Sequence, residues 1–99
     1  MLHKLISILS KQLHPSEWRL MLTVYELAKG DWVHRRTAFD SADISYHTSN
    51  VSALMNKLMK LGYMEQSKRQ TAPSIQECFI KLTSEGKSVL VGAFKSSQA

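Results

Sequence analysis

Apolar residues recur along the chain mostly at the spacing of α-helices, with one pair of segments at the spacing of strands. Leu2, Leu5, Ile6, Leu9 and Leu13 fall on one side of a turn-by-turn pattern, with Lys4, Ser7 and Lys11 on the other, which predicts a one-faced opening helix. His14 and Pro15 stop it. Pro15 suits the first turn of the next helix, where its missing N–H has no partner to lose, so a second helix is expected from about Pro15 to Lys29, ending at Gly30. Trp18, Met21, Leu22 and Tyr25 line one side of it and Leu20, Val24 and Leu27 the other. A helix apolar on two sides belongs in the middle of a domain, and Trp18 and Tyr25 are accordingly read as core rather than as a ligand cage.

Gly30 and Asp31 read as a turn, and Trp32 to Arg36 as a short extended piece. Thr37 to about Ile44 is expected as a short helix with Thr37 as N-cap and Phe39, Ala42 and Ile44 inward, followed by a turn over Ser45 to Ser49. The clearest pattern follows: Val51, Leu54, Met55 and Leu58 stand at i, i+3, i+4 and i+7, with Leu61 and the C-terminal stop Gly62 behind them. Tyr63 to Lys68 and Ile75 to Leu82 read as strands joined by a loop over Arg69 to Ser74, a hairpin with a basic tip. Thr83 caps a last helix carrying Val89, Leu90, Val91, Ala93 and Phe94, with residues 96–99 expected to fray.

Ninety-nine residues suffice for one core and exclude a multidomain enzyme. The chain is 43% apolar and 21% charged, with four Gly and two Pro, which argues against wholesale disorder and fibrous repeats. The longest apolar segments fall short of the roughly 18 residues of a membrane span, and Leu2 to Leu13 is too interrupted for a signal peptide, so no membrane partner and a cytoplasmic location are expected. Cys78 is the single cysteine, which excludes an internal disulfide. Thirteen Lys and Arg against eight Asp and Glu leave a net charge of +5, which makes acidic polymers plausible partners. The basic part is the middle of the chain, where Glu65 is the one acid between Ile44 and Gln70.

Short helix, tight turn, second helix and β-hairpin is the order of a winged helix-turn-helix. The expected fold is therefore mostly α with a small β-hairpin: a single domain over 1–99, with helix-turn-helix at 37–61, wing at 63–82, and flanking terminal helices at 1–13 and 84–97. Thr48, Ser49, Asn50, Ala53 and Asn56 are small and neutral where bases would be met. Arg35, Arg36, Lys57, Lys60, Lys68 and Arg69 are the candidates for phosphates, the last two as wing contacts. A solvated helix face has the same composition, and it is the basic hairpin that tips the reading toward double-stranded DNA. The competing reading is a winged-helix adaptor that binds protein and carries its basic face incidentally.

Three stretches resemble regulators of the MarR type: LHPSEWRLMLTVYEL, HTSNVSALMNKLMKLGYME and IKLTSEGKSVL, with Val51, Leu58, Gly62, Leu82, Thr83 and Gly86 carrying the likeness over roughly residues 13 to 90. The resemblance implies a dimeric transcription regulator. With it, the chain is read as a repressor occupying a pseudopalindromic operator through residues 48–61. The sequence departs from the family in its wing, where KRQTAPS stands in place of an Asp-x-Arg pattern, and in its short terminal segments. Leu2, Leu5, Ile6 and Leu9, with Val89, Leu90, Ala93 and Phe94, are the stripes offered to a homodimer interface. Regulators of this kind often bind phenolic effectors, but no polar cluster here marks such a pocket, and none is expected. His3, His14, His34 and His47 lack metal-ligand spacing, no nucleophile motif organises the Ser, His and Asp residues, and no catalytic role, metal or cofactor is expected.

Overall fold

The computed structural model describes residues 13–98, with side chains to residue 95. Helix α1 (Pro15–Ala28) leads through strand β1 (Val33–His34) into helix α2 (Arg35–Ser41) and helix α3 (Thr48–Lys60). Strands β2 (Met64–Ala72) and β3 (Ile75–Leu82) form the wing, and helix α4 (Ser84–Gln98) closes the chain. This is the expected, mostly helical winged helix-turn-helix. The opening helix, with Leu2, Leu5, Ile6 and Leu9, lies outside the described residues.

Helix α1 begins at Pro15, where the Glu17 carboxylate reaches back to accept the His14 backbone N–H at 2.7 Å. Its buried face is Glu17, Leu20, Met21 and Val24. Trp18 and Leu22 are half-buried against the core, whereas Tyr25 and Leu27 are exposed at 39% and 47%. The helix thus has one fully buried face instead of two: α2, β1 and β3 pack against the helix, and α4 meets it on the Trp18 and Leu22 side. Tyr25 is consequently surface and not core.

Helix α2 starts two residues earlier than its composition implies. Pairing of Val33 with Ile80 and of His34 with Phe79 makes β1 a third strand and brings His34 to the helix start. There the ring Nδ1 accepts the Arg36 N–H at 3.2 Å, so His34 is the N-cap and Thr37 lies inside the helix. Ala38, Phe39, Ala42 and Ile44 are buried. Helix α3 buries Val51, Leu54, Met55 and Leu58, as its spacing predicts. Gly62 ends it with φ +80, a left-handed position that L side chains rarely adopt, as the Tyr63 N–H returns to the Leu58 carbonyl and the Gly62 N–H to that of Met59.

The sheet is antiparallel in the order β1-β3-β2. Met64 pairs with Leu82, Ser67 with Phe79, Arg69 with Glu77 and Gln70 with Gln76, with an irregularity between Gln70 and Ala72. Arg69 and Gln70 therefore belong to the ladder rather than to a loop, and the turn is reduced to Pro73 and Ser74. The basic residues lie along the ribbon, not at its tip. Met64, Ile80 and Leu82 point into the core beneath α1, joined by Tyr63 and Leu90.

Candidate nucleic-acid interface

Helix α3 contains no acidic residue, and the side it turns away from the core carries Thr48, Ser49, Ser52, Ala53, Asn56 and Lys60, all exposed. At about 100° per residue, Ser52 falls well inside this arc, while Asn50 and Lys57 fall at its margin toward Leu54. The structure uses both marginal residues internally. Asn50 Nδ2 donates to the Ser45 carbonyl at 2.8 Å, tying the helix to the preceding turn. Lys57 Nζ meets the Glu17 carboxylate at 2.9 Å, linking α3 to α1. The Glu17 side chain is 3% exposed and that of Lys57 37%. Lys57 is thus a structural cation rather than a free one, and Asn50 is a turn anchor. The sequence pattern leaves out Ser52, which stands between Thr48 and Asn56 on the same exposed arc.

Beside α3 a cleft of about 180 Å³ opens between the start of α2, the loop before α3, and β2. Its polar wall includes Thr48, Ser52 and Asn56, which follow one another at i, i+4 and i+8, and its floor is Val51, Met55 and Met59. Arg35 enters from the opposite side. Its Nε donates to the Tyr46 hydroxyl at 2.9 Å and its Nη1 to Gln66 Oε1 at 2.7 Å. The Tyr46 ring stands edge-on to buried Phe39, 5.4 Å between centroids, which fixes the hydroxyl. Tyr46 and Gln66 carry no charge and sit 11 and 31 residues from Arg35, and no spacing rule in the sequence joins them.

The remaining cations divide by partner. Arg36 stands over the Tyr46 ring and 3.9 Å from Asp40, and Lys81 lies 3.7 Å from Glu65 and over Trp32. Arg69 lies over Phe79 and Trp32 on the solvent side of the sheet, while Lys60 and Lys68 are exposed. Among the described residues no carboxylate lies within ion-pair distance of Arg35, Lys60, Lys68 or Arg69.

Away from this face, α1 and α4 enclose an open apolar groove of about 550 Å³ lined by Pro15, Trp18, Leu22, Leu90, Ala93 and Phe94, with Arg19 at its edge. Of the residues offered to a dimer, Leu90 is buried in its own core and Val89 packs against that core, whereas Phe94 and its neighbour Val91 are exposed. Among the described residues no group of three or more His, Cys, Asp and Glu could hold a metal, and no helix is long and apolar enough to cross a membrane.

No protein-family model and no curated protein sequence matches the chain. Solved structures similar to it include a Streptococcus mutans protein at 18% identity and TM-score 0.62, covering 84% of this chain and 78% of that one. A PadR-like transcription factor from Bacteroides fragilis is 16% identical with TM-score 0.62, over 83% of this chain and 78% of its own. A possible transcriptional regulator from Methanosarcina mazei is 12% identical with TM-score 0.63, over 96% and 78%. All three share the fold.

Proposed function

We propose that the chain is a sequence-selective regulator of transcription that binds double-stranded DNA, with α3 in the major groove and the β2–β3 ribbon beside it. The observation that carries this reading is the acid-free, exposed face of α3 flanked by cations that no carboxylate neutralises. Ser49 and Ala53 are assigned to base edges, Thr48, Ser52 and Asn56 to the boundary between bases and backbone, and Arg35, Arg36, Lys60, Lys68 and Arg69 to phosphates. The MarR-type resemblance of the sequence and the PadR-like transcription factor among the similar structures both support a winged-helix regulator. Duplex selection from a random pool, followed by fluorescence anisotropy across a salt series, tests it. Each neutralised phosphate contributes about −0.9 to the slope of log affinity against log salt, so Arg35, Arg36, Lys60, Lys68 and Arg69 predict roughly −4.5 per protomer. Lys60→Ala with Lys68→Ala should reduce that by about 1.8. A protein that enriches no duplex at low salt is an adaptor instead.

The same reading makes the protein a homodimeric repressor whose two α3 helices, roughly 34 Å apart, span the half-sites of a pseudopalindrome. Support comes from Tyr25, Val91 and Phe94, which gather on the rim where the α1–α4 groove continues toward Glu26 and Lys95. Apolar residues grouped in this way are commonly covered by a second chain. Val91→Glu with Phe94→Glu is expected to convert a dimer at tens of micromolar to a monomer in sedimentation velocity. A parent protein that already sediments as a monomer would exclude the dimer.

A further inference from the structure

We propose that the cleft between α2, α3 and β2 seats one backbone phosphodiester of DNA, with Arg35 as its ligand and Tyr46 and Gln66 as the residues that hold Arg35 in place. The inference rests on the reading of the chain as DNA-binding and adds to it a site and two positioning residues. Arg35 is half-buried, and among the described residues it meets only neutral groups: a hydroxyl, an amide oxygen and the face of the Tyr46 ring. Its charge is therefore fixed in position but not cancelled, unlike that of Lys57, whose ammonium meets a buried carboxylate. The two hydrogen bonds use two of the five guanidinium N–H groups and leave three, including the Nη2 pair, for a planar two-pronged contact of the kind Arg makes with phosphate oxygens.

The opposite wall supplies what a phosphodiester needs besides a cation. Thr48 and Ser52 offer hydroxyl donors and Asn56 an amide donor, in a row that faces the cleft. The cleft, about 180 Å³, has room for a phosphate group. Val51, Met55 and Met59 beneath it keep the local dielectric below that of water, which strengthens a cation–phosphate contact. Because Gln66 belongs to β2 and Tyr46 to the loop before α3, a phosphate bound by Arg35 would draw on both the helix-turn-helix and the wing. Tyr46 and Gln66 set where the strand of DNA runs relative to α3.

Anisotropy titrations of the selected duplex at several salt concentrations, on the full chain, test this directly. Arg35→Ala is expected to weaken binding about thirtyfold and to make the salt slope shallower by about 0.9, the signature of one lost phosphate. Arg35→Lys keeps the charge and loses the fork, so the slope should persist while affinity falls several-fold. Tyr46→Phe and Gln66→Met should each weaken binding about threefold to tenfold. In the Arg35→Ala background, neither should weaken it further. Thermal melts of each variant check folding, and Arg35→Lys, Tyr46→Phe and Gln66→Met still test the proposal if Arg35→Ala does not fold.

An unchanged slope in Arg35→Ala, or full additivity of Tyr46→Phe with Arg35→Ala, would overturn the assignment while leaving DNA binding intact. A parent protein that binds no duplex would overturn both this site and the reading beneath it. Inorganic phosphate added at constant ionic strength separates the two sources of the anion. It should not displace the duplex, and displacement that Arg35→Ala abolishes would give the cleft to free phosphate instead.

Discussion

The Gly86→Ala variant is expected to lose about 2–3 kcal/mol of stability, roughly 10–20 °C in Tm for a domain of this size. In most helices the same exchange stabilises by nearly 1 kcal/mol, because alanine is the better helix former, so the sign depends on what surrounds the position. Here a methyl group would collide with the Tyr63 carbonyl, a backbone atom with little freedom. That carbonyl already accepts the Thr83 N–H at 3.0 Å. Thr83 in turn caps α4 by accepting the Gly86 N–H at 3.0 Å, and its hydroxyl donates to the Gly62 carbonyl. Moving Tyr63 to make room would disturb the end of α3, the start of β2 and the cap of α4 together. Thermal unfolding followed by circular dichroism decides the matter, and an unchanged or raised Tm would mean that the junction yields.

Lys57→Met is expected to destabilise the domain by about 3 kcal/mol, and more than Glu17→Gln does. The asymmetry comes from what each change leaves behind. Without Lys57, the Glu17 carboxylate stays buried with the His14 N–H as its one remaining donor among the described residues. Without the Glu17 charge, the partly exposed Lys57 ammonium can turn to water, and a glutamine amide oxygen can still accept from His14. Combining Lys57→Met with Glu17→Gln should recover most of the loss, because no unpaired charge remains. Urea unfolding of the four proteins provides the cycle. On the proposed reading the salt slope of the combined variant for DNA should equal that of the parent, because Lys57 already pairs with Glu17; a slope shallower by about 0.9 would return Lys57 to the interface.

What the sequence revealed, and what it hid, follows from how local each signal is. Helix α3 was legible because four core residues repeat within two turns and Gly62 marks the end. Helix α1 was legible for a similar reason, with Pro15 in front and Lys29 and Gly30 behind. The outer half of the wing was not. Strands are recognised by alternation, which requires one face to be buried, and from Arg69 to Ala72 the ribbon has mostly solvent on both sides, so a paired strand reads as a polar loop. The start of α2 was misplaced because His34 is brought to the N-cap by pairing with Phe79, 45 positions away in sequence. Of the Arg35 cleft, Arg35, Thr48 and Asn56 were legible, whereas Tyr46 and Gln66 become its partners through the fold, and a charge-based search has no reason to select either.

The strand order has a further consequence for how the molecule keeps to itself. With β3 in the centre, β2 is an edge along its whole length, and β1 covers β3 only at Val33 and His34, so the distal part of β3 is open too. Unpaired edges of this kind are templates on which another sheet can grow. The ribbon carries the features that discourage such growth: Glu65, Lys68 and Arg69 along β2, Glu77 and Lys81 along β3, an irregularity between Gln70 and Ala72, and Pro73 at the turn. Lys68 and Arg69 therefore meet a demand of the fold itself, to stop wing joining wing, besides the phosphate contacts proposed for them. That demand would favour charge on this ribbon even if no ligand ever touched it.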